Sequence, residues 1–169
     1  MQSNSLNQFT EYVKSLCIQH VDIKHTDDDQ HFIELNSDKQ LQQSKNQLYP
    51  LVALDKLTIS YGGQNDATTK SRIVDLLFLD KSKSAGDYVE IQLIKNNMER
   101  IAEEFVIKMK IDSRDRKKHQ FLRNLVIGSI EINLIDNEQI NLHGALLSFI
   151  FEVPFSEVIA PGRFIENVS

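Results

Sequence analysis

The chain has 169 residues, of which 41% are hydrophobic and 25% are charged, and its formal net charge is −5 at pH 7. These values are typical of one globular domain and exclude a disordered chain. No apolar run reaches the roughly 18 residues of a membrane-spanning helix, and residues 1–9 lack the features of a signal peptide. We therefore expect an intracellular protein with no membrane partner and, given its negative charge, no general attraction to nucleic acid.

The first 47 residues predict a helix, a short strand and a second, short helix. Apolar side chains recur every three or four positions in residues 5–20, which predicts an amphipathic helix. The single cysteine, Cys17, cannot form an internal disulfide and is expected in the core. Residues 31–35 predict a short strand, and the polar residues 37–47 a short helix with a thin apolar stripe. The apolar positions of the first helix are Leu6, Phe9, Tyr12, Val13, Leu16 and Cys17.

Two strands are predicted after Pro50. In residues 51–61 apolar and polar side chains alternate towards the end, the pattern of a half-buried strand. Residues 72–80 are almost wholly apolar and predict a strand buried on both faces, paired antiparallel with the first. The connections 62–71 and 80–86 are polar and long, so we expect them to reach neighbouring subunits.

Residues 87–112 predict the long amphipathic helix around which the chain is organised. Asp87 is placed to cap its first turn, and Glu90 stands where the second residue of a capping box belongs. The apolar face is expected to cover the sheet, while the opposite face remains in solvent. The members of the apolar face are Ile91, Ile94, Met98, Ile101, Phe105 and Met109.

The remaining sequence predicts a second pair of strands. Residues 125–135 alternate, and Gly128 permits a bulge. Asp136 and Asn137 are expected to form the turn, and residues 139–155 are long enough to cross the whole sheet.

The predicted fold is one α+β domain, residues 1–155, followed by an extended tail, residues 156–169. Its sheet is mainly antiparallel and consists of two hairpins, with the central and N-terminal helices packed on it. Four large apolar residues of the irregular tail need cover and are candidates for a subunit interface. They are Val158, Ile159, Phe164 and Ile165.

No motif predicts catalysis, a cofactor or a metal. The sequence has no GxSxG, no CxxC and no glycine-rich phosphate loop. Three histidines stand near aspartates in a spacing that matches no metal-binding motif, so we predict no metal site and no enzymatic activity. These residues are His20, His25, His31, Asp22, Asp27, Asp28 and Asp29.

Residues 110–123 have the most polarised charge, with six lysines and arginines against Asp112 and Asp115. The segment carries +4, and because the whole chain carries −5, the rest carries −9. Such a segment can contact a phosphate backbone or an acidic neighbouring subunit. It can also be a solvated turn whose cations stabilise the end of the helix, which is the commoner case. The candidate DNA or subunit contacts are Arg114, Arg116, Lys117, Lys118 and Arg123.

Several segments together carry a family resemblance: the N-terminal helix, YPLVALDKLTISY, the apolar RIVDLLFLD, the long central helix, and a closing strand that ends in EVPFSEV. In this order, over residues 5–158, the chain resembles the tail-terminator and head-to-tail joining proteins of tailed bacteriophages.

The resemblance implies a structural virion protein, made in the bacterial cytoplasm, that is not an enzyme. It implies a homo-oligomeric ring at the head–tail junction or the tail end, in contact with tail-tube and connector or portal-side proteins, with double-stranded DNA passing through the lumen. The alternative is a stand-alone intracellular α+β binding or regulatory protein, because fold texture does not settle function.

Overall fold

The computed structural model describes residues 5–35, 48–55, 57–63, 68–84, 86–115 and 117–154. None of the helices in these ranges is long and apolar enough to cross a membrane. The helices are α1 (Ser5–Gln19), α2 (Tyr88–Asp112) and a 3₁₀ helix (Gln120–Asn124). The strands are β1 (Phe32–Glu34), β2 (Leu51–Leu54), β3 (Thr58–Gly62), β4 (Thr69–Lys81), β5 (Leu125–Asn137) and β6 (Leu142–Pro154).

The strands form one six-stranded sheet in the order β1-β2-β4-β6-β5, and β3 pairs with β4 beyond the end of β2. β1 runs parallel to β2, whereas the other pairs are antiparallel. The α+β class is therefore confirmed. The two predicted hairpins do not describe the whole sheet, because β1 and β2 form a parallel pair beside the antiparallel strands.

A thirteen-residue antiparallel ladder joins β4 to β6 through the middle of the sheet, from the Thr69–Pro154 pair to the Lys81–Leu142 pair. Gly144 lies in this ladder opposite Leu79. A Cβ atom at Gly144 would come within 1.9 Å of the carbonyl oxygen of Phe78. The close approach of the two backbones therefore requires glycine here.

Both helices pack on the same face of the sheet and build the main core. The predicted buried face of α2 is confirmed, and the ring of Phe105 lies edge-on to Phe78 with centroids 5.0 Å apart. Cys17 of α1 is buried, as predicted, and burial raises the pKa of its thiol to about 12. The sheet supplies this core from Val74, Leu76, Phe78, Ala145, Leu147 and Phe149.

Only half of the predicted capping box forms at the start of α2. The Asp87 carboxylate accepts a hydrogen bond from the Glu90 backbone N–H, at 3.0 Å. The Glu90 carboxylate does not return the contact to Asp87, because it accepts the backbone N–H of Lys83 at 3.0 Å. Glu90 thus fixes the segment between β4 and α2.

The strand predicted over residues 51–61 is interrupted. Leu54 pairs with Leu76 and Thr58 pairs with Ile73, so between these pairs three residues on one side face two on the other. This extra residue separates β2 from β3 as a bulge does. The predicted half-burial of β3 is wrong: all five of its residues are exposed, because β3 and the paired part of β4 extend past the helices.

β5 contains a second irregularity, at the bulge predicted from Gly128. Between Val126 and Glu131 the register shifts, so that β5 advances five residues where β6 advances two. The hydroxyl of Ser129 accepts the backbone N–H of Ile150 at 2.9 Å and donates to the Val126 carbonyl at 2.7 Å. The hydroxyl of Ser129 therefore replaces the backbone carbonyl that would accept the Ile150 N–H in a regular ladder.

Several predicted boundaries move. Asp136 and Asn137 still belong to β5, so the predicted turn is wrong, and the chain turns over residues 138–141 with Asn141 at a positive φ of 54°. β4 is longer than the predicted strand, which shortens both of the connections next to it. The predicted helix 37–47 and the tail 156–169 lie outside the described residues.

We expect Gly144→Ala to lower the free energy of unfolding by about 3 kcal/mol or more, since a backbone atom must move to admit the methyl group. Gly128→Ala is the matched control, because a Cβ there meets nothing within 4 Å. It should change the free energy by less than about 1 kcal/mol. Denaturant unfolding of the three proteins tests this, and equal midpoints for both variants would contradict the close approach.

Candidate functional site

The basic residues predicted as contacts follow α2 at one end of the domain. Arg114, Lys117 and Lys118 are exposed, and their side chains make no ion pair within the part of the chain that the structure describes. Arg123 is exposed at the end of the 3₁₀ helix. Arg116 is outside the described ranges, as are Val158, Ile159, Phe164 and Ile165.

The two aspartates of this segment are engaged within it. The Asp115 carboxylate accepts the backbone N–H groups of Lys117 and Lys118, at 3.0 and 3.3 Å, which lowers its pKa. Asp112 accepts Nζ of Lys108 at 2.6 Å and the hydroxyl of Tyr12 at 2.8 Å. Lys110, Arg114, Lys117 and Lys118 are exposed, so these four cations face solvent.

A groove with an apolar floor lies between the end of α2 and the start of β5. Arg114 and Arg123 flank it, and its floor is formed by Leu122, Leu125 and Ile127. Leu122 and Leu125 are buried, whereas Ile127 is exposed. The sequence predicted the cations of this groove but not its floor, because the floor is formed by residues on both sides of the 3₁₀ helix boundary.

The three histidines do not converge on a common site. His20 Nε2 lies 2.7 Å from a carboxylate oxygen of Glu104, and His31 Nδ1 lies 2.7 Å from the carbonyl oxygen of Pro50. Burial lowers the pKa of His25, whose Nδ1 accepts the backbone N–H groups of His31 and Phe32. Within the described ranges, no three potential ligands are grouped for a metal.

An arm extends from the sheet at the same end as the basic segment. It consists of β3, the first residues of β4 and the last residues of β6, which pair through Gly62–Thr69 and Thr69–Pro154. Among the described strands none pairs with β3 on the side away from β4. Ile59 is 49% exposed on this arm. The arm therefore offers a strand edge and apolar side chains to a partner.

A serine, a histidine and an aspartate form a hydrogen-bonded chain at the opposite end of the sheet. His143 Nδ1 lies 2.5 Å from Oδ1 of Asp136, and His143 Nε2 lies 3.1 Å from Oγ of Ser82. Lys95 of α2 also donates to Asp136, and this hydrogen bond, followed by that of His143, holds the pKa of Asp136 below its usual value. Since the ionised carboxylate can only accept, His143 Nδ1 carries a proton, and in the neutral imidazole Nε2 then accepts the hydroxyl proton of Ser82.

The hydrogen bonds of Ser82, His143 and Asp136 have the connectivity of a serine hydrolase triad, but the burial of the serine and the histidine argues for a structural role. Ser82 is only 2% exposed and His143 is 0% exposed, so a substrate carbonyl cannot reach the hydroxyl. The contacts join the end of β4, β5, β6 and α2. Sequence reasoning missed them because the residues are far apart in the chain, and the only signal was a lone histidine before the apolar run of β6.

Comparison with known proteins finds no matching family model and no significant match among curated proteins.

We expect the Asp112 contact to stabilise the fold at neutral pH and to weaken in acid. Burial alone would raise the pKa of Asp112, but the hydrogen bonds from Lys108 and Tyr12 outweigh it and hold the pKa below its usual 3.8. A lowered carboxyl pKa adds stability above the unfolded-state pKa, and that stability is lost as the pH falls through the folded-state pKa.

Asp112→Ala should therefore lower the free energy of unfolding at pH 7 by roughly 1–3 kcal/mol, since it leaves the hydroxyl of Tyr12 without its acceptor. The difference in the free energy of unfolding between wild type and Asp112→Ala should become smaller below about pH 4. Glu103→Ala, an exposed carboxylate on the same helix, is the control. A difference that stays constant from pH 7 to pH 3 would show that the carboxylate charge is not involved.

The burial of Ser82 predicts that a fluorophosphonate probe will not label the folded protein. Intact-mass analysis after incubation should show the unmodified mass, as for Ser82→Ala, and a known serine hydrolase serves as the positive control. An adduct that forms on wild type and is lost in both Ser82→Ala and His143→Ala would instead identify a working triad.

Proposed function

We propose that this protein is a structural subunit that assembles with identical copies, and that the assembly is a ring at the head–tail junction or tail end of a tailed bacteriophage. Double-stranded DNA passes through the lumen, tail-tube and connector proteins contact the two sides of the ring, and the subunit performs no catalysis. The family resemblance of the sequence motivates the phage assignment. The geometry of the arm motivates the assembly.

The single observation that carries the proposal is the exposed arm. A monomer gains little from a strand such as β3, all of whose residues are exposed and whose outer edge has no described partner. Such an edge is an aggregation risk unless it is covered. Contact with a neighbouring subunit would cover both the edge and Ile59. In this proposal the connection 62–71, which the sequence predicts to reach neighbours, lies on the arm between β3 and β4.

The second face of the sheet is covered by neither of the described helices, which lie on the other face. It carries a small cluster of Leu51, Leu79 and Leu142, with Ile33 and Leu77 half-buried beside it. These three leucines are already buried within the chain, so the proposal rests on the arm and not on this face.

The proposed assembly predicts that the purified protein exceeds the monomer mass of 19.5 kDa in sedimentation velocity and forms rings in electron micrographs. Ile59→Glu should abolish the larger species, because burying a carboxylate in a contact costs several kcal/mol. Val89→Glu is the matched control: it makes the same chemical change at an exposed apolar residue at the start of α2, far from the arm.

A monomeric wild type at every protein concentration, with no ring on the particles, would contradict the proposal. The stand-alone binding or regulatory protein would then be the better interpretation. Equal assembly of Ile59→Glu and wild type would leave the ring in place but exclude the arm from its contacts.

A further inference from the structure

The groove at the β5 edge combines features that suit a protein partner better than DNA. Arg114 and Arg123 lie on either side of an apolar floor that ends in the exposed Ile127. A phosphate backbone needs the cations but has no use for an exposed isoleucine.

Lys110 and Arg114 are available to an outside carboxylate. Lys110 and Arg114 are exposed and make no ion pair within the described ranges. The nearest carboxylates in the sequence are already engaged, Asp112 by Lys108 and Tyr12, and Asp115 by backbone N–H groups. The groove therefore favours a partner that brings negative charge together with apolar side chains.

A surface with the opposite charge and a similar apolar content lies at the other edge of the sheet. Asp27, Asp28 and Asp29 are exposed in the loop that leads to β1, the strand at the far edge from β5. Ile18 and Val21, at the end of α1, are exposed, the latter by 72%.

The isoleucine and the acidic loop belong to one surface of the molecule. Lys14 lies 3.8 Å from Asp27, and Ile18 follows Lys14 by one helical turn. Ile18 therefore faces the same side of the molecule as the acidic loop. The β1 edge thus presents apolar and acidic groups together.

We propose that these two surfaces bind each other between copies of the chain: the acidic loop 27–29 with Ile18 and Val21 of one subunit contacts the groove of Arg114 and Ile127 of the next. The inference rests on the proposed ring and names the contact that builds it. The surfaces differ and lie at opposite edges of one sheet, so the contact is heterologous and leaves each subunit able to bind a neighbour on both sides. Complementary charge fixes its direction.

Two charge-reversed variants of the full chain test the contact. The loop variant carries Asp28→Lys and Asp29→Lys, and the groove variant carries Lys110→Glu and Arg114→Glu. Each opposes like charges at every contact with its own copies, so each alone should associate about 100-fold more weakly than wild type or worse. The control variant reverses the exposed Lys81 and Lys83, which belong to neither surface, and should assemble as wild type does.

An equimolar mixture of the two variants should restore assembly, because the lysines of one then meet the glutamates of the other at alternate contacts. This rescue distinguishes a lost contact from a lost fold. Sedimentation velocity measures the association, and circular dichroism verifies the fold.

If either variant alone assembles as wild type does, or if the mixture does not rescue assembly, the contact is wrong while the ring stands. If the groove variant loses affinity for a double-stranded DNA fragment but assembles normally, the cations contact DNA and the inference is overturned. If wild type is monomeric at every concentration, both the proposed ring and this contact are wrong.

Discussion

The ladder between β4 and β6 is the constraint on which the rest of the domain depends. Both helices pack across these two strands, β2 and β3 attach to one side of the pair, and β5 attaches to the other. Thirteen residue pairs in continuous register fix which side chains face the helices. A slip by one residue would turn Val74, Leu76 and Phe78 away from the core. Gly144 adds to this, because only one position in β6 can approach the carbonyl of Phe78 so closely.

The two ends of the sheet differ in how their polar groups are used. At one end Ser82, Asp136 and His143 satisfy one another, and Lys95 ties them to α2. Buried polar groups that are fully paired favour one arrangement of the elements around them. At the other end all residues of β3 are exposed, and so are the described cations after α2. The first end holds the fold together, whereas the second leaves a strand edge and cations exposed among the described residues.

Sequence patterns predicted best where one local rule decided the structure. The spacing of apolar residues located α2 and its buried face, and Gly128 located the bulge in β5. The patterns failed where distant pairing decided. The alternation of Ile59 and Tyr61 predicted burial, but β3 extends past the helices, and periodicity does not show where cover ends. The Ser82–His143 contact depends on the register across the sheet, and the groove floor depends on the placement of Ile127 beside Arg114. No local sequence pattern indicates either of them.

Ser129 makes β5 a poor template for uncontrolled growth of the sheet. A straight edge strand displays a regular row of N–H and C=O groups that can recruit an unfolded chain and start a fibril. The shifted register between Val126 and Glu131 bends β5 and breaks that row, and the hydroxyl of Ser129 holds the bend in place. Between Val126 and Glu131 an incoming extended chain therefore finds no regular row of backbone groups to pair with.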